Sequence, residues 1–291
     1  MKGIILLSVL TACFVWLYWG NTSIQTTKIT ICSEKIPVPF QGFVIVQVSD
    51  LHNAEFGHGQ SKLLHAVKAA SPNLIAVTGD LVDSRHTDFQ KAMEFIDGAV
   101  KIAPVYYVTG NHEARIDAYP EFEKKLVKAG VVVLRNQSKR VERNGEYLRV
   151  LGLDEPDFIA KGNANKRVRL VDTTLKNTLS DRNSYTILLA HRPELFDEYA
   201  SNRIDLVLSG HAHGGQVRLP FAGGLVAPGQ GLFPRYDGGV YESGQTQMVV
   251  SRGLGNSIAP VRVNNRPELA VITLQPGEQP ASLGGAGPAS P

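Results

Sequence analysis

Cysteine is nearly absent: two residues in 291, Cys13 inside an apolar N-terminal stretch and Cys32 beyond it. That sets aside a disulfide framework and a Cys-based zinc site, and leaves the redox compartment unread. Charge of one sign is missing as well. Thirty basic residues stand against 27 acidic ones, a formal charge of +3, and no run of Lys/Arg forms a nucleic-acid footprint. A nucleic-acid partner is therefore not expected. No internal repeat is evident and nothing marks a second globular domain, while 43% hydrophobic content is enough for one sizeable core.

Charge is absent altogether from residues 4–19, IILLSVLTACFVWLYW. The stretch is close to the roughly 17–25 residues that a membrane-spanning helix needs. Three readings compete: a retained anchor, a cleaved secretory signal, or a lipoprotein signal with Cys13 at the lipidated position. The ring cluster Phe14, Trp16, Tyr18 and Trp19 favours the anchor, because such rings prefer the membrane interface. The apolar run also continues past Cys13, unlike a lipoprotein's polar linker. Lys2 precedes the segment and the next positive charge is Lys28. This points to a cytoplasmic N-terminus, with the main domain on the far side of the membrane.

After a polar linker at residues 21–28, short apolar runs of strand length alternate with helix-period segments, which argues for an α/β fold. Residues 43–48, 74–77, 104–108, 185–190, 204–208 and 269–274 read as strands, and 60–70, 88–100 and 193–200 as helices. The boundaries expected are an anchor or signal at 1–20, a linker and entry strand at 21–39, one main domain at 40–275, and a disordered Gly/Pro/Ala/Ser-rich tail at 276–291.

Five of the apolar runs end in polar clusters: Ser49-Asp50-Leu51-His52, Gly79-Asp80-Leu81-Val82-Asp83, Gly110-Asn111-His112-Glu113, His191-Arg192, and Gly210-His211-Ala212-His213-Gly214-Gly215. Loops at the carboxyl ends of strands in α/β folds converge on one crevice, so the five clusters can meet. Asp, Asn and His are oxygen and imidazole ligands suited to Zn²⁺, Mn²⁺ or Fe²⁺. Five of the eight histidines lie in these clusters; His58, His65 and His86 do not and read as surface residues. Gly79, Gly110 and Gly210 are expected to let the chain turn sharply after a buried strand. His211 and His213, two apart in an extended segment, would point to the same side. Singly each motif is weak, since Gly-Asp is commonly a turn and Asn111 suits a helix N-cap. The ordered set carries the reading.

That set, D-x-H, G-D-x-x-D, G-N-H-[DE], a later H and G-H-x-H, resembles the calcineurin-like metallophosphoesterase superfamily over residues 40–274. The Gly-Gly-Gln216 run and Ser251-Arg252-Gly253-Leu254-Gly255-Asn256 look like its bacterial membrane-associated phosphodiesterase branch. The resemblance implies a four-layer αββα sandwich of two mixed β-sheets flanked by helices. It implies two divalent metal ions (Mn²⁺, Zn²⁺ or Fe²⁺), the first held by Asp50, His52 and His213, the second by Asn111, His191 and His211, with Asp80 bridging. His112 would act on the leaving group as general acid or charge stabiliser, with Asp83 as its orienting partner. Arg192, Arg252 and Arg262 read as surface or structural arginines.

The function implied is hydrolysis of a phosphodiester or pyrophosphate, on a substrate that is lipid- or nucleotide-linked. Two alternatives are a UDP-2,3-diacylglucosamine-type pyrophosphate hydrolase and a phosphomonoesterase. A non-catalytic scaffold of the same fold would be expected to lack a motif residue, and none is missing.

Overall fold

The computed structural model describes residues 1–179, 183–256 and 259–278. It begins with one long helix, α1 (Lys2–Thr22), none of whose residues is buried. Only Ser23 and Ile24 separate it from β1 (Gln25–Ser33), which pairs in parallel with the last strand from Gln25↔Glu268 to Ser33↔Pro276. Residues 21–28 are therefore not a linker. The run QTTKITICS alternates exposed and covered positions and is rich in Thr and Ile, which suits a pleated edge strand.

Then follow β2 (Phe43–Val48), α2 (Ser61–Ala69), β3 (Leu74–Thr78), α3 (Phe89–Ala99), β4 (Val105–Val108), α4 (Tyr119–Lys128), β5 (Val132–Val133), β6 (Gln137–Arg143), β7 (Glu146–Gly152), α5 (Asp157–Ala160), α6 (Ala164–Thr178), β8 (Thr186–Leu189), α7 (Phe196–Ser201) and β9 (Leu206–Ser209). Two small hairpins come next, β10 (Arg218–Leu219) with β11 (Gly223–Gly224) and β12 (Val226–Ala227) with β13 (Gly231–Leu232). The chain closes with β14 (Gly239–Ser243), β15 (Thr246–Val250) and β16 (Glu268–Pro276).

Two mixed six-stranded sheets result, in the orders β1-β16-β2-β3-β4-β5 and β14-β15-β9-β8-β7-β6. Strands β2 to β5 run parallel to one another, as do β7, β8, β9 and β15. Alternate residues divide the core. Ile45, Ala76, Ile187, Leu189, Leu206 and Leu208 meet between the sheets. Val46, Val48, Ile75 and Val77 instead pack on Leu63, Phe95, Ile96 and Phe122 from α2, α3 and α4. On the other side Leu188, Val207 and Met248 pack on Val171, Leu175 and Phe196 from α6 and α7. Strands covered on both faces read as unbroken apolar runs, which is why the sequence displays them. The layers are the expected αββα.

Helix α3 starts where Asp88 accepts from the N–H of Gln90 at 2.9 Å, a side-chain cap for an otherwise orphan donor. The segment expected as a helix at 193–200 opens with a tight turn, Pro193–Leu195, before α7. Of the tail expected at 276–291, Pro276 belongs to β16, and 279–291 lie outside the described residues.

Candidate metal centre

Loops after β2, β3 and β4 in one sheet, and after β8 and β9 in the other, meet at one end of the sandwich. Main-chain bonds fasten them: Asp50 N–H donates to Gly79 O and His52 N–H to Asp80 O, each at 3.0 Å. His191 Nδ1–H donates to Thr78 O at 2.8 Å, which ties the sheets together and turns Nε2 towards the other clusters.

All seven expected ligand residues fall in one buried cluster with two overlapping halves. In the first, His213 Nε2 lies 3.2 Å from His52 Nε2 and 3.3 Å from Asp50 Oδ1. In the second, His191 Nε2 lies 3.1 Å from His211 Nδ1 and 3.2 Å from Asn111 Oδ1. Asp80 Oδ2 belongs to both, 3.5 Å from His52 Nε2 and 3.2 Å from His191 Nε2. The carboxylate's other oxygen accepts from His112 N–H at 2.8 Å.

These separations fit metal ions. Atoms that each sit about 2.0–2.2 Å from a shared ion are about 3.0–3.5 Å from one another. Ring nitrogens aimed at each other across such gaps make poor hydrogen bonds but good ligands. Burial lowers His52 and His211 well below the usual imidazole range and takes His213 to about 4, so these rings are neutral with lone pairs available. Burial alone would lift Asp80, yet the facing His191 and His52 hold it well below the normal carboxyl range. Burial would likewise depress His191, but Asp80 overrides it and raises the ring to about 10. The carboxylates of this cluster favour positive charge beside them.

The backbone is strained to achieve this. Asp50, His52, Asp80, His211 and His213 all have φ between 45° and 66°, a left-handed region that side chains other than Gly rarely occupy. The pair His211 and His213 is therefore not extended. A turn sends His211 Nδ1 to one half of the cluster and His213 Nε2 to the other. Among the three glycines expected to turn the chain, only Gly79 has a positive φ. Gly110 and Gly210 are needed for closeness: a Cβ would collide with Asp80 Oδ1 at the first and with Ser49 Oγ at the second.

His112 sits beside His52, ring centroids 4.5 Å apart. Its expected partner does not make the orienting bond. Asp83 Oδ1 is 3.7 Å from His112 Nδ1, and that nitrogen accepts instead from the N–H of Ser84 at 3.0 Å. Asp83 is taken by Arg85, whose N–H and guanidinium donate at 2.7, 3.1 and 2.6 Å. It also lies 4.0 Å from His52 Nδ1, a buried nitrogen without a hydrogen-bond partner.

Several neighbours carry more than the sequence disclosed. Glu113, fully buried, accepts from the N–H groups of Asp80 (2.9 Å), Gly110 (2.7 Å) and Val82 (3.3 Å), clamping the loop that presents Asp80. The Gly-Asn-His-Glu run was the only hint of it. Arg192 is buried among Glu155, Asp157 and Glu194 (2.7–3.0 Å), and Arg252 is paired with Glu268 (2.9 Å), so both are structural rather than surface residues. Arg262, 1% exposed, donates to the carbonyls of Arg252 and Gly255 and lies 3.4 Å behind His213 Nδ1. His58, His65 and His86 are not buried, and none of them joins the cluster.

The calcineurin-like phosphoesterase family pattern matches residues 43–215, which contain every residue of the cluster. The uncharacterized metallophosphoesterase YkuE of Bacillus subtilis is 32% identical over 258 residues, covering 87% of this chain and 86% of that one. The phosphodiesterase YaeI of Escherichia coli is 26% identical over 238 residues, covering 80% and 82%. Among solved structures, TT1561 of Thermus thermophilus shares the fold at a TM-score of 0.52 and 14% identity, covering 74% of this chain and 91% of that one. With the pattern spanning more than half its length, this chain belongs to the calcineurin-like phosphoesterase family and is a metallophosphoesterase.

Proposed function

We propose that the chain hydrolyses phosphodiesters or pyrophosphates with two divalent ions, and that it works as a membrane-anchored enzyme. The observation that carries the reading is Asp80 Oδ2, one carboxylate oxygen within 3.2–3.5 Å of ligand nitrogens from both halves of the cluster. In this reading Asp50, His52 and His213 hold one ion, Asn111, His191 and His211 the other, and Asp80 bridges. Bound there, two dications supply Lewis-acid stabilisation of a phosphoryl group and lower the pKa of water.

The chain's own residues supply orientation and protons. Because His112 Nδ1 accepts from the N–H of Ser84, the ring N–H is on Nε2, the nitrogen left to donate to a leaving-group oxygen. Asp83 supports His52 and His112 by its charge rather than by a direct bond. The His112 Nε2–H would donate to the departing oxygen.

The membrane reading rests on α1. At about 1.5 Å per residue its 21 residues span about 30 Å, the thickness of a bilayer core, and none is buried. Its end is fastened to the domain. Asn21 exchanges two hydrogen bonds with the main chain of Arg262 (2.7 and 3.0 Å), and Arg266 lies over the Trp19 ring at 4.4 Å. Cleavage would discard these contacts, which favours a retained anchor over a removed signal.

The test is a metal and substrate panel on full-length protein in detergent. After chelation, Mn²⁺, Zn²⁺, Fe²⁺ and Mg²⁺ are each restored and turnover of bis- and mono-p-nitrophenyl phosphate compared. Restoration by at least one ion, with the diester preferred, is expected. Preference for the monoester would move the assignment to a phosphomonoesterase. The UDP-2,3-diacylglucosamine-type alternative needs a cytoplasmic active site, so a reporter fusion that places the domain outside the cytoplasm would exclude it.

A further inference from the structure

An apolar tip on the first hairpin, Phe221, and the apolar open end of the second, Leu232 and Phe233, stand near the candidate metal site. Phe221 is fully exposed, and Leu232, Phe233, Leu219 and Val226 are exposed large apolar side chains close to it in sequence. Phe221 has φ +65° and Phe233 φ +50°. Phe221 follows Pro220 in a turn closed by Ala222 N–H donating to Leu219 O at 3.3 Å, a position that ordinarily takes Gly or Asn. A bulky side chain held in left-handed backbone and then left in water gains nothing inside this fold, which is the kind of outlier that points outward to function.

Placement says what covers them. The hairpins are pressed against the metal-binding turn: Leu225 N–H donates to Gly215 O at 3.2 Å and Phe233 N–H to Leu225 O at 2.9 Å. Gly215 and Gly224 approach so closely that a Cβ on the former would collide with the latter's Cα. On the other side they join the segment that roots α1. Val217 bridges Val263, and Arg218 N–H donates to Val263 O at 3.0 Å, one residue from the Arg262 backbone bonded to Asn21. The hairpins and the inner end of α1 thus share one rim. Both arginines of residues 218–236 are paired, Arg218 with Asp237 at 3.0 Å and Arg235 with Asp197 at 3.9 Å, so the apolar side chains carry the argument.

We propose that Phe221, Leu232 and Phe233 insert into the bilayer interface in which α1 is rooted, forming a second membrane contact that holds the metal site against the lipid headgroups. Aromatic rings and exposed apolar side chains prefer that interface. The contact is continuous with the α1 junction, where Trp16, Trp19, Arg252, Arg262 and Arg266 line a cavity of about 100 Å³. A second protein would not explain why the exposed rings lie on the rim that carries the membrane helix.

The full chain in lipid nanodiscs tests this without requiring turnover, so failure of the phosphoesterase reading leaves the result interpretable. With Cys13 replaced by Ala and Cys32 buried, an environment-sensitive dye is placed in separate samples at F221C, F233C or V38C. Val38 is exposed and lies past the far end of β1, whose nine residues span about 30 Å from the root of α1. Blue-shifted emission, quenched by doxyl-labelled lipid, is expected at 221 and 233 but not at 38. Water-like emission at both positions overturns the proposal, and so does a blue shift that doxyl lipid fails to quench, which would mark a contact between copies. Labels in two separate hairpins guard against one substitution disturbing its own turn.

Discussion

The loops that gather the candidate metal ligands and the hairpins beside them both hold non-glycine residues in left-handed backbone, but they use it oppositely. Asp50, His52, Asp80, His211 and His213 are buried, and surrounding bonds hold them: His211 N–H donates to both Asp50 oxygens at 3.1 Å, and the Glu113 clamp grips the Asp80 loop. Phe221 and Phe233 carry the same distortion with their rings in solvent. Each distorted residue costs of order 1–3 kcal/mol. In the first region the fold offsets that cost internally. In the second the offset has to come from outside the protein.

The largest effect should follow from removing the charge that both halves of the cluster share. Asp80→Asn keeps the shape and the His112 contact but removes the bridging carboxylate. We expect loss of bound divalent metal by elemental analysis, and a fall in kcat/KM beyond the roughly 10–100-fold that losing an outer partner costs. An Asp80→Asn enzyme with full metal content and near-normal rate would break the picture of a shared oxygen.

Next comes the clamp. Glu113 touches no expected ligand side chain and acts through the loop, so Glu113→Gln should weaken metal binding roughly 10–100-fold and cost about 1–3 kcal/mol of stability. Burial and the nearby Asp80 charge push the Glu113 carboxyl up, to about 8, against the pull of the Gly110 and Asp80 N–H groups. If metal titration of the variant matches wild type, the strain in the Asp80 loop is held by something other than this side chain.

Much of this was legible beforehand because two properties write themselves into sequence. Strands covered on both faces leave unbroken apolar runs, and ligands at their carboxyl ends leave Asp and His where a loop should begin. What stayed hidden depends on partners far along the chain. The first residues of β1 read as linker because the strand's parallel partner β16 lies at the other end of the sequence. The two-residue strands of the hairpins are too short for any period to register. Gly110 and Gly210 looked like turn residues because the atoms they must clear belong to other loops. Asp83 passed for the partner of His112 because spacing cannot show that Arg85, two residues on, binds it more closely.

A smaller effect, of opposite sign, would sharpen the contrast. Phe221→Gly removes strain that nothing internal repays, so in detergent it should raise stability by a net of roughly 0.5–1 kcal/mol, after the added freedom of glycine in the unfolded chain. A thermal melt reads this directly. The same relief at His52 would remove a candidate ligand, so His52→Gly should lose metal whatever the backbone gains. A fall in Tm for Phe221→Gly would mean that the ring packs on something within the fold.

Asp83 lies between the two regimes, buried on one side and bonded to half-exposed Arg85 on the other. Burial lifts its carboxyl, but the Arg85 side chain and N–H, with His112 and His52 near, bring it to about 2. A carboxyl that titrates lower in the folded chain than its unfolded value near 3.9 stabilises the fold fully above about pH 4, and that contribution disappears as pH falls towards 2. Asp83→Asn should therefore lower Tm at pH 6 and leave it nearly unchanged at pH 2. Because solvent screens Arg85, the difference should be about 0.5–1 kcal/mol, well under that of the clamp. A variant that loses as much at pH 2 as at pH 6 would show that Asp83 holds its loop by shape and not by charge.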